Sequence, residues 1–173
     1  MHTNLKYGLP VLAAIFAMFT ATDASAQQQR ELNVTAQVPE VCVIVSPATI
    51  NMDFGTLDPA NGTDDTVTVD FEYRCSQGTQ VEIGLGLGSG TGATLAKRFM
   101  THTNGTDALG YRLEKATDSS DWGEVGTATS YTDIAAGLGS LEQVTIRGIV
   151  ASADKAAAPV GDYSDTVTII LLP

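Results

Sequence analysis

The sequence predicts an all-β domain. Several runs alternate apolar and polar residues with a period of two, Thr, Val and Gly are abundant, and turn-forming clusters recur at short intervals. Helix signals are scarce. The longest candidate, residues 153–158, is short and ends in Pro159, so it reads as a loop.

Residues 1–26 have the layout of a secretory signal peptide: Lys6, an apolar run over 9–19 broken only by Pro10, and the triplet Ala24-Ser25-Ala26, with cleavage expected after Ala26. That run is about a dozen residues or fewer, short of the roughly 20 that span a bilayer, which favours a leader over a membrane anchor. No later stretch is long and apolar enough to span either, so the expected product is an exported chain starting at Gln27. It holds about 150 residues, which suits one domain with a real core.

In residues 31–38, Leu32, Val34, Ala36 and Val38 fall on one face and Asn33, Thr35 and Gln37 on the other, the pattern of a half-buried strand. Pro39 then removes a backbone donor and sets this strand apart from the apolar run 41–45. Met52 to Leu57 lead into the turn-rich 58–65. The clearest strand follows, with Val67, Val69, Phe71 and Tyr73 alternating with Thr68, Asp70, Glu72 and Arg74 up to Cys75.

Cys42 and Cys75 are the two cysteines. In an exported domain they are most simply one disulfide, which in the chain-entropy picture contributes on the order of 3–4 kcal/mol. A metal site lacks ligands, because His102 is the one histidine left once His2 departs with the leader.

Val81, Ile83, Leu85 and Leu87 alternate with Glu82, Gly84, Gly86 and Gly88, so a strand here carries glycines on one face, where a neighbouring element can approach closely. Residues 88–93 loosely fit GxGxxA, but no helix opens after them and no βαβ unit surrounds them, so a phosphate loop is disfavoured. Residues 95–100 are a weaker strand, Asn104-Gly105 a turn, and Leu109, Tyr111 and Leu113 another strand. Trp122 is expected to cover one end of the core. Residues 126–140 read as a long connection or a short edge hairpin. Val144, Ile146 and Val150 define one more strand, with Gly148 marking a bulge or a close approach. The last strand, 163–171, puts Val167, Ile169 and Leu171 on one face and Thr166, Thr168 and Ile170 on the other, and nothing after it is left to cover its open side.

The net charge of -11 and pI near 4.3 argue against nucleic acid, which needs clustered cations. Catalysis lacks a constellation: His102 lies in a Thr-rich turn with no evident partner. Asp58, Asn61, Asp64 and Asp65 miss the EF-hand spacing and read as a solvated turn. Neither an enzymatic role nor a cofactor is expected.

Taken together, Cys42, Phe54-Gly55-Thr56, Cys75, Leu109-Gly110-Tyr111-Arg112-Leu113, Trp122-Gly123, Gly148 and above all Gly161-Asp162-Tyr163-Ser164-Asp165-Thr166-Val167-Thr168-Ile169 resemble the spore-coat-U-like secreted pilins, subunits of archaic chaperone-usher pili. The resemblance covers essentially the whole mature chain, except that 126–140 is longer than the family usually carries. It implies an incomplete immunoglobulin-like β-sandwich completed by donor-strand exchange. A periplasmic chaperone lends the missing strand, and in the fibre another subunit's N-terminal extension replaces it. The implied donor positions are Leu32, Val34, Ala36 and Val38, and the implied acceptor strand carries Tyr163, Val167, Ile169 and Leu171. The implied layout is a signal peptide at 1–26, a donor extension at 27–40 and a pilin domain at 41–173. Implied partners are other copies or related pilins, a periplasmic chaperone and an outer-membrane usher. The implied route runs through the periplasm to a cell-surface pilus with a role in adhesion and biofilm formation. The competing reading is a stand-alone secreted coat or binding module that folds its N-terminal strand onto its own sheet.

Overall fold

The computed structural model describes residues 27–173, so the expected leader at 1–26 lies outside the described residues. Residues 27–41 form no regular secondary structure. The body that follows holds nine strands, β1 (Cys42–Ile44), β2 (Asp65–Cys75), β3 (Gln80–Leu85), β4 (Arg98–His102), β5 (Ala108–Lys115), β6 (Tyr131–Ile134), β7 (Glu142–Val150), β8 (Tyr163–Ser164) and β9 (Ile169–Leu172). One helix, α1 (Ser152–Ala157), lies between β7 and β8. The all-β expectation holds.

The strands form two sheets. Six run in the order β1-β2-β7-β5-β4-β8 and three in the order β6-β3-β9, with every pairing antiparallel. The long strand β2 organises the larger sheet. Its alternation buries Phe71, Tyr73 and Cys75, and it pairs with β7 from Asp65↔Val150 to Tyr73↔Glu142. At about 3.4 Å per residue, its 11 residues separate two ends by about 34 Å. At the Cys75 end lie Cys42 and the start of β7. At the Asp65 end lie Val150, α1 and the loop 158–162.

The core sits between the sheets, around Phe71, Tyr73, Val81, Ile83, Leu85, Leu113, Trp122, Ile146 and Val150. Trp122 is fully buried, and its indole N–H donates to the Ile83 carbonyl at 2.9 Å. Arg98 is also fully buried. Its guanidinium donates to the carbonyls of Gly86 (2.9 Å), Leu95 (3.3 Å), Leu85 (3.2 Å) and Trp122 (2.8 Å). Burial pushes the Arg98 pKa down, against the pull of Tyr111, Asp121 and Asp165, so these carbonyls stand in for the lost water.

Two expectations fail here. Residues 152–157 form a helix rather than a loop, although Ala151 at its start supplies no side-chain cap. Tertiary ion pairs hold it: Lys155, itself buried, bonds Asp65, and Lys97 bonds Asp154 at 2.5 Å. The final strand is not continuous either. β8 pairs with β4 in the larger sheet, and β9 pairs with β3 in the smaller one, so the chain changes layers between Ser164 and Ile169.

The weak strand expected at 95–100 forms at Arg98–His102, and 126–140 contributes the edge strand β6. The glycine face of β3 does receive close neighbours, since a Cβ on Gly84 would lie 2.2 Å from the Val125 amide.

Candidate functional site

Two segments of the body share a property found nowhere else in it: regular alternation of half-buried apolar residues beside backbone that no other strand pairs. The first is 50–57. Ile50, Met52 and Phe54 are half-buried while Asn51 and Asp53 between them are exposed, which is strand periodicity without a strand. Residues 47–57 make no backbone–backbone hydrogen bond to any described residue. Gly148 of β7 positions this segment. It lies on the inner face between Val67 and Leu113, and a Cβ there would sit 2.3 Å from the Met52 sulfur and 2.8 Å from the Phe54 ring. The close approach expected at Gly148 is therefore real, and Met52 and Phe54 are what approaches.

The second segment is 166–172. Val167, Ile169 and Leu171 are half-buried and pack against the core, while Thr166, Thr168 and Ile170 point outward. One edge of β9 pairs with β3, and the Gly86 amide extends that ladder to the Thr168 carbonyl at 2.9 Å. The other edge has no strand partner among the described residues.

Asp165 fixes where the chain changes layers. One carboxylate oxygen accepts the Tyr111 hydroxyl at 2.5 Å, and the other accepts the Ser89 amide (2.6 Å), the Ser89 hydroxyl (2.7 Å) and the Thr166 amide (2.7 Å). Burial alone would raise this carboxyl, but the bonds from Tyr111 and Ser89 outweigh it and hold the group below its usual value. Gly88 (φ +85°) makes room, because a Cβ there would fall 2.1 Å from the carboxylate.

Half-covered apolar rows beside free N–H and C=O groups are what a two-layer sandwich presents where a strand is absent. The row of Met52 and Phe54 belongs to the larger sheet's inner face, and the row of Val167, Ile169 and Leu171 to the smaller sheet. An added strand gains ladder hydrogen bonds from the backbone and apolar cover from the side chains. Chemically the arrangement offers association.

The sequence-derived positions divide as follows. Val167, Ile169 and Leu171 share the row just described. Tyr163 does not join them. It lies on β8 in the other sheet, edge-on to the His102 ring at 4.8 Å, and its hydroxyl donates to the Pro159 carbonyl at 2.6 Å. The side chains of Leu32, Val34, Ala36 and Val38 are exposed, at 87%, 81% and 85% for the three larger ones. Cys42 and Cys75 form a disulfide across the β1–β2 pair.

Other residues weighed from the sequence have local partners. His102 accepts the Asn104 amide and contacts the Val160 carbonyl. Asp58 accepts the Ala60 amide, Asp64 accepts the Ser152 amide, and Asp65 bonds Lys155. Among the described residues no group of three or more His, Cys, Asp or Glu side chains is arranged to hold a metal, and no helix is long and apolar enough to cross a membrane.

Sequence reasoning missed three participants. The alternation of Ile50, Met52 and Phe54 was a readable signal for the first row. Asp165 stood in the closing motif 161–169 without its own part being read, and Arg98 left no signal, because an isolated charge in a sequence reads as surface.

A family model described as Spore Coat Protein U domain matches residues 28–170. No curated protein matches the chain. Among solved structures, the chain resembles the chaperone–tip adhesion subunit pre-assembly complex CsuC-CsuE from archaic Csu pili of Acinetobacter baumannii, with a TM-score of 0.51 and 21% identity over 78% of this chain. It spans 40% of that chain's length. It also resembles the P pilus rod subunit PapA, with a TM-score of 0.55 and 17% identity over 76% of this chain and 97% of that one. A third likeness is to a chaperone-usher pilus structure concerned with rod uncoiling, with a TM-score of 0.50 and 16% identity over 84% and 96% of the two chains. At these identities the likeness is one of fold.

Proposed function

Because the chain belongs to the Spore Coat Protein U domain family, we propose that it is a structural subunit of an archaic chaperone-usher pilus. It polymerises by giving residues 31–38 to the open site of a neighbouring copy and has no catalytic role. The observation that carries this reading is the pair of half-buried rows, Ile50, Met52 and Phe54 with Val167, Ile169 and Leu171, beside unpaired backbone.

The physics is β-augmentation. Burying each larger donor side chain contributes about 1.5–3 kcal/mol before the cost of ordering the extension. Alternation sets the register, because a one-residue slip would turn Asn33, Thr35 and Gln37 into the gap. A periplasmic chaperone fills the same gap during transit, an outer-membrane usher follows, and the pilus serves surface adhesion and biofilm formation.

The test uses a chain lacking residues 27–38 and a synthetic peptide of residues 27–41. The peptide is expected to bind and raise the urea midpoint, whereas a peptide carrying Val34→Asp is not. In cells the truncated chain should be exported yet fail to extend a fibre. Normal fibres from it would overturn the reading.

A further inference from the structure

Most of the outer face of the larger sheet is polar, with Thr68, Asp70 and Glu72 on β2 facing Arg147, Thr145 and Gln143 on β7. The Thr145 hydroxyl, for example, donates to Asp70 at 2.6 Å. At the Cys75 end the character changes. Val43 lies across from Arg74, and continuing the β2–β7 register by one residue brings Leu141 to the other side of Arg74. The Arg74 guanidinium donates to the Leu138 carbonyl at 3.5 Å, which brings Leu138 alongside. Val41, Val43, Leu138 and Leu141 are all large apolar residues left 44–50% exposed. They make an apolar island on a polar sheet face.

Its position gives it an occupant. Three residues separate Val38 from Cys42, and Cys42 is tied by its disulfide to the end of β2. At about 3.3–3.6 Å per residue, that connection spans no more than about 14 Å. Any molecule that takes up residues 32–38 is therefore drawn to within that distance of the island.

The end of the acceptor that arrives there follows from symmetry. Glu40 shares a surface depression with Leu172 and Pro173, so the root of the extension and the end of β9 lie at the same end of the body. Joining like ends closes a dimer, whereas an open fibre joins unlike ends. The opposite end carries the loop after α1, where Pro159 is exposed and Val160 is fully exposed at 101%.

Resting on the donor-strand reading above, we propose that the island of Val41, Val43, Leu138 and Leu141 is a body-to-body contact of the fibre, seated on the Pro159-Val160 loop of the copy that accepts the extension. It restricts the angle between consecutive subunits and slows their separation, while the inserted strand holds them together.

The experiment compares the parent with V160D and with the double variant V43D/L141D, in fibres and in peptide binding. Val160 is fully exposed and only its backbone carbonyl meets His102, so V160D is expected to fold as the parent does. Both variants should bind a peptide of residues 27–38 as the parent does, because that peptide carries no residue of the island. Their fibres should release subunits about tenfold faster in urea. Fibres of V160D as long and as resistant as the parent's, with peptide binding intact, would overturn the contact. Failure of the parent's own gap to bind the peptide would instead overturn the donor-strand reading and the contact with it.

Discussion

The interior of the sandwich and its open rows meet the same physical requirement in opposite ways. In the closed interior, Arg98 is buried and donates to four backbone carbonyls, and the buried Trp122 indole donates to the Ile83 carbonyl. On the open side, Met52, Phe54, Val167, Ile169 and Leu171 touch the core with one flank and solvent with the other. The contrast shows that incompleteness is local. The fold does not lack apolar residues or strands in general; it leaves two rows of apolar side chains half covered.

That contrast can be broken from either side. The largest effect is expected on the closed side: Arg98→Met removes the donors to the carbonyls of Gly86, Leu95, Leu85 and Trp122 and should cost more than about 3 kcal/mol. Urea unfolding of the peptide-bound subunit measures it, and an unchanged midpoint would show that the cation is dispensable. Next comes the disulfide. Replacing Cys42 and Cys75 with Ser should cost about 3–4 kcal/mol in the same assay.

On the open side, Gly148→Val should displace Met52 and Phe54 and cost about 1–3 kcal/mol. It should weaken peptide binding as well, and unchanged binding would show that the row at 50–57 does not line the gap. The smallest effect concerns pH. Asp165 is held below its usual value, so its contribution is present above the ordinary carboxylate range and lost as pH falls through its lower folded pKa. Asp165→Asn should flatten that acid limb of the stability curve, and a limb of unchanged slope would assign it to another carboxylate.

Much of this was legible in the sequence where one face of a strand is buried and the other is not. Val67 to Tyr73 announced β2, and Val167, Ile169 and Leu171 announced their own row. The same regularity hid the change of sheet, because alternation continues through Asp165 while the pairing partner switches from β4 to β3. The helix α1 was hidden for another reason. Its stability lies in Asp65 and Lys97, residues far away in the chain, and not in its own six residues. The apolar face of 31–38 was readable as a pattern, but a pattern does not name what covers it.

The disulfide has a mechanical consequence. In a fibre joined through the extension, tension reaches the body at Cys42. The strand it meets, β1, is three residues long and would peel from the sheet edge. The covalent link carries the force across to Cys75 instead, and so into β2, which is paired to β7 over most of its length. The chain between the cysteines, including the unpaired wall at 47–57, is thereby left out of the line of force. A body so built can be pulled hard without loosening the row at 50–57.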